Sequence, residues 1–100
     1  MNALKVSSDS DPGATAGAIA NSVRERGAAE IEVIGPRAVN QAVKAIAIAR
    51  GYVAASGVDL YCVPGFTSIR VMEGDQEKTA IHFAVRTRHG IGTVAPPPES

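Results

Sequence analysis

Residues 35–57 read GPRAVNQAVKAIAIARGYVAASG, and no other stretch restricts the possible folds so tightly. Residues 33–58 contain no Asp or Glu, yet they hold Arg37, Lys44 and Arg50. The spacing predicts one long helix that starts at Pro36 and frays near Tyr52. Gly35 can serve as N-cap, and Pro36 suits the first helical position, where the N–H it lacks would have no partner. Val39, Val43, Ile46 and Arg50 recur at intervals of three and four, with Ala42 and Ala49 beside them, and this reads as the core face. At about 100° per residue, Arg37, Gln41, Lys44 and Ile48 form a second stripe on another side. A helix apolar on one side and small or basic on the others has two surfaces to account for. One packs on a sheet, and the other meets a partner.

The remaining segments supply that sheet. Residues 3–6 are a short apolar strand, and Asp11-Pro12 after a Ser- and Asp-rich turn marks the start of a first helix. That helix runs to about Arg26, buries Ala16, Ile19, Ala20 and Val23, and stops at Gly27. In residues 29–34, Ile31 and Val33 alternate with Glu30 and Glu32, so one sheet face is open. Residues 58–63 form a third strand, which Pro64-Gly65 should interrupt with a bulge or bend, because Pro cannot donate to the ladder. Residues 66–72 continue extended, Glu73-Gly74-Asp75-Gln76 make a turn, and residues 78–86 return as the second arm of a hairpin. The expected fold is an α/β two-layer sandwich in the order β-α-β-α-β-β, with two helices on one face of a mixed four-stranded sheet. Residues 1–88 are read as the domain, and 89–100, with three consecutive prolines, as a disordered C-terminal tail.

Composition narrows the functional classes. One hundred residues are enough for one domain around a single core. Ten basic residues balance ten acidic ones and the pI is near 6.7, so binding to a polyanion would need a local patch. A single Cys excludes an internal disulfide framework and a multi-Cys zinc site. No signal peptide and no bilayer-length apolar run are recognisable, so the expectation is a cytoplasmic protein without a membrane partner. With no Trp and 4% aromatic residues, base-stacking platforms are scarce.

The run AAEIEVIGPRAVNQAVKAIAIARGYVAASGVDLYCVPGF closely resembles the bacterial stage V sporulation protein S family. The opening LKVSS and the RERGAAEIEVIG junction belong to the same resemblance, which covers residues 4–86. That family looks like a branch of the Alba-like superfamily. The resemblance implies the same element order, a homodimer, and in many relatives binding of DNA or RNA. It also implies a regulatory part in sporulation or another developmental programme. GPRAVNQAV resembles the Alba signature, in which a Gly-Arg pair precedes an apolar helix start. Arg37 then stands where Alba proteins place an arginine that contacts nucleic acid. Two features depart from the Alba pattern. The loop after the first strand, Ser7-Ser8-Asp9-Ser10-Asp11, carries no lysine, and the hairpin tip from Glu73 to Lys78 is net negative.

Candidate contacts follow from residue chemistry. Arg37, Asn40, Gln41 and Lys44 offer two cations and two amides on neighbouring turns, suited to phosphates and to sugar or base edges. A solvated helix face would use the same residue types. Arg70 and Arg86, on adjacent hairpin strands, either extend a basic track or pair with Glu32 and Asp59 across the open sheet face. Ile48 and Tyr52 read as a dimer seam that would set two basic stripes side by side, or as packing under a loop. Cys62 reads as an inert core thiol, since His82 is expected on the opposite face. The histidines have no metal-ligand spacing, and the glycines match no phosphate-loop or dinucleotide fingerprint. The expectation is a non-enzymatic protein with no cofactor, no metal and no small-molecule substrate. The alternative is a dimeric protein-interaction module that never touches nucleic acid.

Overall fold

The computed structural model describes residues 3–70 and 77–88, with Arg70 and Glu77 described by their backbone. The order is β1 (Leu4–Val6), α1 (Pro12–Arg26), β2 (Ala28–Val33), α2 (Pro36–Ala54), β3 (Asp59–Arg70) and β4 (Glu77–Arg88). The sheet order is β1-β2-β4-β3. β1 and β2 are parallel, and β4 is antiparallel to both of its neighbours. Both helices therefore act as crossovers, and β4 is inserted between β2 and β3. The expected two-layer α/β architecture is the one observed. The turn at Glu73-Gly74-Asp75-Gln76 and the tail 89–100 lie outside the described residues.

Helix α1 starts and stops as its sequence dictates. Asp11 Oδ2 accepts from the Ala14 N–H at 2.8 Å, satisfying one amide that has no partner within the helix. Gly27, at φ 79°, adopts the left-handed conformation and donates its N–H to the Val23 carbonyl at 2.8 Å. The four core residues expected on this helix are all buried.

The buried face of α2 overlaps the expected one in part: Ala42, Ile46 and Ala49 are buried as expected, whereas Val39, Val43 and Arg50 are not fully so. That face consists of Ala38, Ala42, Ala45, Ile46, Ala49 and Val53. At about 100° per residue its centre lies about 80° around the helix from the predicted Val39–Arg50 face. Val43 is 50% exposed, and Val39 is only partly buried. Arg50, expected on the core side, carries a largely exposed side chain that reaches Asp59. Small residues decide this. α2 packs against α1 and the sheet together, and an alanine seam lets the helix axis approach both. Pattern reading weights the larger β-branched residues instead. The helix also runs past Tyr52, to Ala54.

The hairpin brings a second correction. β3 and β4 pair without a break, from Asp59 opposite Arg88 to Arg70 opposite Glu77, and Pro64 and Gly65 sit within this register. No bulge interrupts the strand, because β3 is at the sheet edge, where a proline can turn its missing N–H away from the ladder. β2 ends at Val33 opposite Ile81. Beyond that level the described residues of the hairpin arms pair only with each other, and Phe66 on β3, opposite Ile81, is 81% exposed. The core lies between the helices and the inner sheet face, where Ile19, Ile31, Val33, Val53 and Val85 are fully buried. Each contributes about 1.5–3 kcal/mol relative to exposure.

Candidate nucleic-acid interface

Most described cations on the sheet are already neutralised. On the open face, Lys5 pairs with Glu32, its direct register partner, at 3.1 Å. Glu30 takes both His82 (2.6 Å) and Arg86 (2.8 Å). Arg86 also donates to the carbonyls of Ala29 and Val85. At the β3 edge, Asp59 receives Arg50 (2.9 Å) and Arg88 (3.3 Å), and Arg88 lies over the Tyr61 ring at 4.8 Å. The pairing expected of Arg86 therefore occurs, but with Glu30 rather than Glu32 or Asp59. Diagonal reach along the pleat favours Glu30, while Glu32 is engaged by Lys5. Arg70 lies on β3 opposite Glu77, and its side chain is outside the described set.

On α2, Arg50 is held by Asp59, but the two cations nearer the helix start differ. Arg37 and Lys44 are both exposed, and among the described residues neither has a carboxylate within ion-pair distance. They are seven residues apart, two turns and about 10.5 Å of rise along nearly the same side. Asn40 is exposed between them. Gln41 is half-buried, and its amide nitrogen donates to the Ser10 carbonyl at 2.9 Å. That bond ties α2 to the β1–α1 loop, so one end of this side chain is engaged inside the fold. Ile48 and the 48% exposed Tyr52 continue the same side toward the C-terminal end.

The start of α2 is electrostatically open. Gly35, at φ 92°, takes a conformation that side chains disfavour, and it supplies no side-chain cap. The helix N-terminus thus keeps its positive dipole end without the carboxylate that α1 receives from Asp11. Beside it is a recess of about 580 Å³ at the C-terminal ends of β1 and β2. Val6, Val33, Ile34 and Ile69 line it together with Ser8 and Arg37. Sequence reading did not single out Ile34, Ile69 or Ser8. Ile34 carried a usable signal, because it breaks the alternation set by Ile31 and Val33. Ile69 carried none, since hairpin folding alone brings it near Arg37.

Cys62 is half-buried on the helix side of β3, and burial pushes its thiol pKa up. His82 lies on the opposite sheet face with Glu30, as alternation predicted, so among the described residues the thiol has no imidazole beside it. Among the described residues no three His, Cys, Asp or Glu side chains form a metal-binding group. No described helix is long and apolar enough to cross a membrane.

The family comparison agrees with the resemblance carried by the α2 region. The family model described as stage V sporulation protein S matches residues 2–88, and the chain belongs to that family.

Proposed function

We propose that this protein is a non-enzymatic, cytoplasmic regulator of sporulation or a related developmental programme, and that it binds nucleic acid as a homodimer through α2. The observation that carries this reading is the contrast in charge pairing. Among the described residues, Lys5, Arg50, Arg86 and Arg88 have carboxylate partners and Arg24, Arg26, Lys78, Arg37 and Lys44 have none, but of the latter only Arg37 and Lys44 share one side of an acid-free helix. Free cations on a rigid helix bind phosphates without first breaking an internal ion pair. Arg37 and Lys44 neutralise phosphates, Asn40 adds a polar contact, and the uncapped helix start favours an anion beside them. Pairing two subunits through Ile48 and Tyr52 brings both cationic stripes to one surface.

Fluorescence anisotropy with labelled RNA and duplex DNA over a salt series tests the reading. About two to four phosphate contacts per subunit give a log–log salt slope of roughly −2 to −4 on duplex DNA, and a shallower one on single strands. Arg37→Glu should abolish most binding, and Lys44→Ala should reduce the slope by about one. Binding that ignores salt and both substitutions rejects the mechanism.

A second reading has its own support. Tyr61, Val63 and Phe66 expose apolar surface along edge strand β3, which suits a protein partner better than a polyanion. In that reading the chain is a dimeric interaction module, and no RNA or DNA binds at any salt concentration.

A further inference from the structure

The recess beside Arg37 is lined mainly by aliphatic side chains, with a few polar groups among them. Its sides are aliphatic: Val33 at the end of β2, the 43% exposed Ile34, and Ile69 reaching in from the hairpin. The polar residues at it are Ser7, Ser8, the mutually paired Lys5 and Glu32, and Arg37, which has no carboxylate partner among the described residues. At about 580 Å³ it falls within the size range of small-ligand sites. The recess near Arg50, about 400 Å³, has its cation tied to Asp59.

An acyl chain or leucine side chain would fill the aliphatic lining but offer no anion to Arg37. A free phosphate would satisfy Arg37 and leave the walls empty. A nucleotide matches both, because a base has apolar faces and hydrogen-bonding edges, and its phosphate carries the charge. Aliphatic side chains can sandwich a flipped base as aromatic ones do. A base inside a duplex is stacked and paired and cannot reach into such a recess.

We propose that this recess seats one unstacked base of a single-stranded nucleic acid, with the adjoining phosphate on Arg37. The base lies between Ile34 and Ile69, and its polar edge faces Ser8 and Glu32. This assignment rests on the nucleic-acid reading above and specifies the ligand as single-stranded.

The test uses three labelled probes of about twelve nucleotides, long enough to cover one site: a single-stranded RNA, a duplex DNA, and a strand of the same backbone lacking its bases. With the unmodified protein, the abasic strand should bind about tenfold more weakly than the RNA, the loss expected when one apolar contact of this size is removed. Ile34→Asn and Ile69→Asn should each weaken RNA binding by a similar factor and leave the duplex unaffected. Val63→Asn, on the outer sheet face, should change neither. Equal affinity for the abasic strand and the RNA, with Arg37→Glu still disrupting both, overturns the base site and leaves the phosphate contacts standing. Absence of binding to all three probes overturns the nucleic-acid reading as well. The probe comparison needs no variant, so a misfolded Ile69→Asn does not blunt the test.

Discussion

Arg50 on α2 donates from both Nε (3.0 Å) and Nη2 (2.9 Å) to one carboxylate oxygen of Asp59, the first residue of β3. The other oxygen of Asp59 receives Arg88 from β4 at 3.3 Å. A single carboxylate, 8% exposed, thus ties the end of the helical layer to both arms of the hairpin. It also pairs two exposed cations that charge counting alone would add to a basic surface.

Asp59→Asn keeps the side-chain shape but loses the charge that orders both guanidinium groups. The expected cost is about 1–3 kcal/mol, because the buried end of the interaction is left poorly matched. Arg50→Ala should cost less, about 0.5–1 kcal/mol, since Arg50 is largely solvated and Arg88 still reaches the carboxylate. Urea denaturation of the two variants checks the order. Equal losses would mean that Asp59 matters only through Arg50.

Gln41→Ala separates a fold-building role from a contact role. Loss of the bond to the Ser10 carbonyl should lower stability by about 0.5–1.5 kcal/mol. At about 4–8 °C per kcal/mol for a domain this small, a thermal melt resolves it. Unchanged stability with weakened RNA binding would instead make Gln41 a ligand contact.

The dimer seam has a direct test. The parent protein should scatter light as a dimer at tens of micromolar, and Ile48→Asp should scatter as a monomer. Ile48 and Tyr52 are exposed in the single chain, so the substitution should leave secondary structure unchanged and stability within about 0.5 kcal/mol at low concentration. A parent that is already monomeric rejects the seam.

Cys62 gives a pH prediction. Its thiol is raised from an ordinary value of 9.0 by burial, so the folded chain holds the proton more tightly than the unfolded one. Above the ordinary thiol value the unfolded state binds fewer protons, and stability then falls as pH rises. Below that value the residue contributes no slope. Cys62→Ala should flatten the alkaline limb of a stability–pH curve relative to the parent. Alkylation of Cys62 should also be slower than that of a free thiol at equal pH, because the thiolate is the reactive form. Alkylation at the free-thiol rate would contradict this.

Much of the architecture could be read from local chemistry. Asp11, Pro12 and Gly27 fix the ends of α1 through short-range bonds, and the alternation around Ile31 and Val33 sets which face of β2 is buried. The lack of a local partner for Arg37 and Lys44 was also legible in the acid-free run, although Arg50 in the same run finds Asp59 through the fold. The core face of α2 was legible only in Ala42, Ile46 and Ala49. Its burial depends on how closely α1 approaches, and the alanines that permit that approach carry weak hydrophobic signals.

The order of elements, the helix boundaries and the cationic character of α2 were determined by the sequence itself, since each depends on residues within a few positions of one another. Tertiary structure alone decided which cations remain free and where the recess lies. Glu30 meets Arg86 across 56 positions, and Ile69 lines the same recess as Arg37 across 32. Strand register and hairpin geometry, rather than spacing along the chain, set those distances.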